Sequence, residues 1–249
     1  MAFGSVESLL HAAEGRPLWE AVLLDDLRDR GVERSASWEK MAGLWAAMKA
    51  SVAEYDPAKR SACDLTGGAG ARVEAARVEL CGPVLTQVIA TALKVAECNA
   101  CMGRIVAAPT AGASGVLPAV LLPMQEKYGR SDEEMVQALY VAAGFGQAIA
   151  TRASIAGAEG GCQAEVGSAS AMAAAALVSL MGGAPEQMAH ACAAALQNLM
   201  GLVCDPVAGL VEVPCVKRNV IGAVNALTAA EMALAGVTCA IPCDEVIDA

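Results

Sequence analysis

Residues Val166–Pro185 read VGSASAMAAAALVSLMGGAP, twenty positions without a charge or an aromatic ring. Gln187–Cys204 follows as a second run, of eighteen, without Asp, Glu, Lys or Arg. A helix that is apolar on every side is buried, in protein or in lipid. Length alone makes both runs candidate spans. Their Ala, Gly and Ser content, and the lack of Trp or Tyr at their ends, argues against lipid. The expectation is a pair of helices buried inside a soluble helical domain, with no membrane partner.

The rest of the composition agrees. The 249 residues are 56% hydrophobic but only 3% aromatic, so Ala, Val, Leu and Met must fill the core. Small side chains let helices approach closely. A chain of this length buries about 70% of its unfolded surface. Net charge is −10, with no basic cluster interleaved with aromatics, which argues against nucleic acid. The opening MAFGSVESLLHAAEGR has neither a basic flank nor a long apolar run, so no secretory signal is read. The ten cysteines are then expected reduced, in the cytoplasm.

Working outward, residues 5–55 show helical spacing, with Ser37 as a candidate cap for the helix of Trp38, Glu39 and Lys40. SACDLTGGAGARVE (61–74) reads as a loop, because its glycines break a helix. A helix is expected from Val84 to Met102, and another near Pro118. Ser131 and Glu134 form a capping-box pattern opening a helix through about Thr151. AGAEGGCQAEVG (156–167) reads as a loop before a helix over Ser168–Met181. Pro185 can start the next helix, to about Leu202. A last long helix is expected over Asn219–Ala235. No strand alternation of useful length appears. The fold expected is all-α, one domain over 1–249 around an Ala/Gly-rich central helix, with residues 1–60 as N-terminal helices.

CDPVAGLVEVPC (204–215) sets two cysteines in a Pro/Gly-broken segment, read as irregular rather than helical. Cys162 lies in another Gly-rich stretch, GGCQAEVG. Three thiols on two bends, each beside the end of a buried helix, can converge on a metal or a cluster. Buried cysteine packing is the plain alternative. Structural zinc is a third, although it favours short C-x₂₋₄-C pairs that these positions do not supply. Cys98-Asn99-Ala100-Cys101 is the one CxxC, either a redox pair or structural. Cys63, Cys81, Cys192 and Cys239 read as core packing, and Cys243 as able to reach a site only if the C-terminus folds back. His190, on an Ala-rich helix, reads as a satisfied structural histidine.

Four segments carry a resemblance: DLTGG (64–68), APTAGASGVLPAVL (108–121), GCQAEVGSASAMAAAAL (161–177) and NLMGLVCDPVAGLVEVPCVKRN (198–219), extended by IPCDEVIDA (241–249). From Asp64 onward the chain resembles the α chain, or catalytic domain, of the iron–sulfur-dependent L-serine dehydratases. The resemblance implies a [4Fe–4S] cluster on Cys162, Cys204 and Cys215. It implies dehydration and deamination of L-serine to pyruvate and ammonia, without pyridoxal phosphate. Within the matched motifs, Thr66, Gly67, Gly68, Thr110, Gly112 and Ser114 are the expected donors to the substrate carboxylate. Glu165 is the candidate base, with Asp205 as a loop brace. Arg218 and Asn219 would orient a carboxylate or brace the cluster. The family's serine-rich β segment is missing here, which implies a separate β chain in a heterodimer. Family α chains also run past the position of Ala249, so a tail that shields the cluster would be missing. A related lyase acting on cysteine or another β-substituted amino acid, and a non-catalytic scaffold subunit, are the competing readings.

Overall fold

The computed structural model describes residues 3–76, 78, 80–205 and 212–249. Every regular element among them is helical. The helices are α1 (Val6–Ala12), α2 (Leu18–Arg30), α3 (Arg34–Ala53), α4 (Ala69–Ala75), α5 (Gly82–Ala100) and α6 (Val116–Tyr128). Then come α7 (Asp132–Arg152), α8 (Gly157–Cys162), a π-helical turn (Gln163–Gly167), α9 (Ser168–Leu180), α10 (Pro185–Gln197), α11 (Val213–Leu234) and α12 (Cys243–Asp248).

The uncharged stretch forms α9, the hub, with α6, α7, α10 and α11 packed around it. Ala169, Ala171 and Ala173 to Ala176 are wholly buried. The many Ala and Ser side chains of α9 allow the close packing, which glycines on the neighbours extend. A Cβ at Gly146 of α7 would meet Met172 at 2.8 Å, and one at Gly222 of α11 would meet Val166 at 2.7 Å. Inside this hub Asn225 donates to Ser170 Oγ (2.9 Å) and to Ala195 O (2.8 Å), and its Oδ1 accepts from Asn198 (2.7 Å). Each buried amide group thereby has a partner, which avoids the cost of an orphaned polar atom. No described helix is long and apolar enough to cross a membrane.

The N-terminal helices lean on α7. The Ser37 hydroxyl meets Tyr140 OH at 2.7 Å, and Asp132 at the start of α7 takes hydrogen bonds from Trp45 (3.0 Å) and Lys49 (2.6 Å). The chain ends clasp each other. Asp244 of α12 accepts from the backbone of Val6 and Glu7, and Asp248 pairs with Arg152.

Several local expectations are corrected. Ser37 lies inside α3, whose N-cap is Glu33. The 61–74 stretch contains α4, because buried Glu97 accepts from Ala69 N (2.8 Å) and Gly70 N (3.1 Å) and so caps that helix from 28 residues away. The 156–167 stretch is α8 and the π turn rather than a loop. The helix after Pro185 stops at Gln197. The last long helix starts at Val213, with Pro214 in its first turn, so Cys215 is helical. Residues 206–211, inside the irregular segment, lie outside the described residues. Cys81 is exposed, and Cys63 and Cys239 are half-buried rather than core.

Candidate active site

The site forms where α8, the π turn, the 201–205 strand of coil and the first turns of α11 meet. Gly161 breaks α8 with φ 76°, a left-handed conformation that glycine adopts freely. A Cβ there would meet Leu202 O at 2.9 Å. The two segments are stitched together by Gln163 N to Leu202 O (2.9 Å) and Gly201 N to Gln163 Oε1 (2.7 Å). Cys162 is buried on one side of this seam, and Cys204 is exposed on the other. Cys215 is buried in the first turn of α11. Arg218, one turn further on, bridges the group: its Nη1 lies 3.0 Å from Cys162 Sγ, 3.1 Å from Val203 O and 2.5 Å from Asp205 Oδ1.

Electrostatics ties the three thiols together. Burial first, then the negative charge of Cys162, Glu165 and Cys204, pushes the Cys215 thiol up to about 11. Burial also raises Cys162, and the hydrogen bond from Arg218 partly offsets the rise. Three thiols that raise one another's burden of negative charge, with the Arg218 guanidinium on one of them, favour a cationic centre. Among the described residues no three Cys, His, Asp or Glu side chains converge closely enough for a single metal ion. In an iron–sulfur cluster each thiolate binds a different iron, so its ligands stand around the cluster without meeting at one point. The donor set of Cys162, Cys204 and Cys215 fits such a group.

Glu165 sits on the π turn, a backbone irregularity often found at working sites. Thr110 donates its hydroxyl to Glu165 Oε1. The carboxylate fills the space that side chains at Gly112 and Gly157 would occupy: a Cβ would meet its oxygens at 2.7 Å and 2.9 Å respectively. Asn219 of α11 holds the opposing loop by accepting from Gly115 N (2.8 Å) and donating to Gly112 O (2.7 Å) and Cys215 O (2.8 Å). Within that loop Ser114 is 1% exposed, and its hydroxyl has no hydrogen-bond partner among the described residues.

Of the residues expected from sequence, Cys162, Cys204, Cys215, Glu165, Thr110, Gly112, Arg218 and Asn219 are thus brought together, with Asp205 as the brace of Arg218 and Ser114 in the adjoining loop. Thr66, Gly67 and Gly68 are not in this group. They turn beside Arg60, which donates to Gly67 O at 2.6 Å. His190 accepts from Cys239 N, a structural role. Cys243 does fold back, but onto Cys192 rather than the site, and their contact raises the Cys192 thiol. Sequence reasoning missed Asn99, whose Nδ2 donates to Ala111 O at 3.1 Å and so supports the Thr110–Gly112 loop from the end of α5. It also missed Gly157, whose importance shows only in space.

Comparison with known proteins places the chain in a family. Residues 13–249 match the family model described as serine dehydratase alpha chain. The chain is 53% identical over 205 residues to the probable L-serine dehydratase, alpha chain, of Bacillus subtilis, covering 81% of this chain and 68% of that protein. It is 55% identical over 166 residues to the probable L-serine dehydratase, alpha chain, of Latilactobacillus sakei, covering 67% and 79%. To the L-serine dehydratase, alpha chain, of Peptoniphilus asaccharolyticus it is 52% identical over 166 residues, covering 67% and 57%. By this match the helical chain is an amino-acid lyase chain. The chain belongs to the serine dehydratase alpha chain family. Its function is that of an L-serine dehydratase α chain, forming pyruvate and ammonia from L-serine.

Proposed function

We propose that the chain binds a [4Fe–4S] cluster through Cys162, Cys204 and Cys215, and that it acts with a separate β chain on L-serine in the cytoplasm. The observation that supports this reading is the bridge made by Arg218 of α11, whose Nη1 lies 3.0 Å from Cys162 Sγ, 3.1 Å from Val203 O and 2.5 Å from Asp205 Oδ1, beside Cys204 and one turn from Cys215. When bound, a cluster with three protein ligands supplies an open Lewis-acid position for the substrate hydroxyl, the group that must leave.

The chain's own residues do the rest. Arg218 balances thiolate charge at Cys162, and Asp205 fixes the guanidinium. Glu165 is positioned to take the α-proton, with Thr110 orienting one carboxylate oxygen. Asn219 keeps the Gly112–Gly115 loop closed, and the Ser114 hydroxyl, buried and unpartnered, is free to meet a substrate carboxylate oxygen. The relatives carry the words alpha chain in their names, which supports a β partner. The ten cysteines, a costly composition under oxidising conditions, support a reducing compartment.

The test is anaerobic reconstitution with iron and sulfide in the presence of a candidate β chain, followed by a pyruvate assay with L-serine. Brown protein that releases pyruvate is expected. Brown protein inactive on L-serine but active on L-cysteine would keep the cluster and reject the substrate. A colourless protein would reject the ligand set.

A further inference from the structure

On the other side of α11 from the thiols lies a cavity of about 300 Å³. Helical periodicity separates the two. Val213, Val216, Lys217 and Val220 share one face of α11, while Cys215, Arg218, Asn219 and Gly222 share the opposite one. The cavity takes its α11 wall from Val213, Val216 and Lys217, and its other wall from the Thr66–Gly67 turn, Arg60 and Arg72. In a chain with 17 basic and 27 acidic residues, the cavity rim carries three exposed cations, Arg60, Arg72 and Lys217, against one lining acid, Glu97, and Asp64 paired with Arg60, which leaves a local positive excess.

The cations are arranged about a glycine pair. Gly67 and Gly68 both have positive φ (143° and 76°), and a Cβ at Gly67 would meet Lys59 O at 2.4 Å, so glycine is required there. Arg60 lies against Gly67, anchored by Asp64 Oδ1 (2.8 Å), Asp64 O (2.8 Å) and Gly67 O (2.6 Å). A guanidinium carries five N–H donors, so this anchoring leaves two. Arg72 Nη1 lies 3.4 Å from where a Gly68 Cβ would stand. Among the described residues neither Arg72 nor Lys217 has a side-chain hydrogen bond or an ion pair. The acid lining the cavity, Glu97, is buried and already receives Tyr55 OH, Ala69 N and Gly70 N. Leu65, Leu93 and Val216 give the cavity an apolar side.

We infer that this cavity binds a small oxyanion, a carboxylate or a phosphate carrying a short organic group, held by Arg72 and Lys217 with Arg60 as a fixed third donor. Paired guanidinium N–H groups match the oxygens of either anion. The ligand is a second molecule, distinct from the amino acid dehydrated at the thiols. The inference stands apart from the dehydratase reading, because binding at this cavity is measured without turnover.

The experiment titrates the full chain calorimetrically with inorganic phosphate in one arm and pyruvate in the other. Wild type, Arg72→Gln/Lys217→Gln, Arg72→Lys and Cys162→Ser are compared. Saturable binding of at least one probe at one site per chain is expected, and the tighter probe names the source of the oxyanion. The double variant should weaken it at least tenfold and Arg72→Lys a fewfold, while Cys162→Ser leaves it unchanged. Circular dichroism checks that each variant keeps its helices, and Arg72→Lys retains the charge if the double variant does not fold. No saturation by either probe, or saturation insensitive to Arg72 and Lys217, overturns the site. An equal loss in Cys162→Ser overturns its separateness from the thiols.

Discussion

Asn219 and Gly112 are joined across the site: the Asn219 amide donates to Gly112 O at 2.7 Å while its carbonyl accepts from Gly115 N at 2.8 Å. One buried residue of α11 thus holds both ends of the loop that faces Glu165. Asn219→Ala would strand the Gly115 N–H and the Gly112 carbonyl, while Cys215 O keeps its helical partner. At about 1–3 kcal/mol for an unsatisfied group, the expected loss of stability is roughly 2–4 kcal/mol. Urea unfolding measures it, and an unchanged midpoint would show that the loop holds itself.

Glu165→Gln keeps the shape and removes the proton acceptor. Loss of general-base catalysis is worth about 10²–10⁴ in rate. The expectation is a fall in kcat of that order, with iron content and thermal midpoint preserved. Gly112→Ala should mimic it in part, since its methyl would press on the Glu165 oxygens at 2.7 Å. If Glu165→Gln retains most of its turnover, another group is the base.

Iron content separates the ten thiols. Cys162→Ser, Cys204→Ser and Cys215→Ser should each abolish the brown colour after reconstitution, whereas Cys98→Ser and Cys81→Ser should retain it. Ligation requires thiolates, and Cys215 is held protonated up to about 11 in the metal-free chain. Cluster assembly should therefore speed up between pH 7 and 9, read as the growth of visible absorbance.

Asp132 links α7 to α3 and α6 by accepting from Lys49, Gln125 and Trp45, which lowers its carboxyl from 3.8 to about 2. A depressed carboxyl stabilises the fold above its unfolded value, and that contribution is lost as pH falls through the folded one. The thermal midpoint should drop between about pH 4 and pH 2. Asp132→Asn should flatten that part of the profile, and an identical profile would remove Asp132 from the account.

How far the sequence told this in advance differs from element to element. The Ala-rich run gave away α9 because a helix without a polar side has only one place to go. The Ser131–Glu134 box is present as written, and its helix begins where that pattern puts it. Cys162, Cys204 and Cys215 stand out on their two Pro/Gly-broken bends alone, but that spacing left zinc and plain packing open, and only the family motifs imply an iron–sulfur cluster. What stayed hidden depends on distant partners. α4 exists despite its glycines because Glu97 caps it from α5. α8 (Gly157–Cys162) forms in a Gly-rich stretch where Gly157 leaves room for the Glu165 carboxylate, and Gly161, which breaks the helix, leaves room for Leu202 O. Such crowding has no local signature.

The Ala-rich hub carries a consequence for how this protein can change over generations. Ala173 to Ala176 have neighbours on every side, so enlargement there meets resistance in whichever direction it points. Novelty is channelled outward, to the rims where α4, α8 and residues 201–205 lie. Divergent descendants could then trade one acid for another at the mouth while inheriting the same unyielding axle.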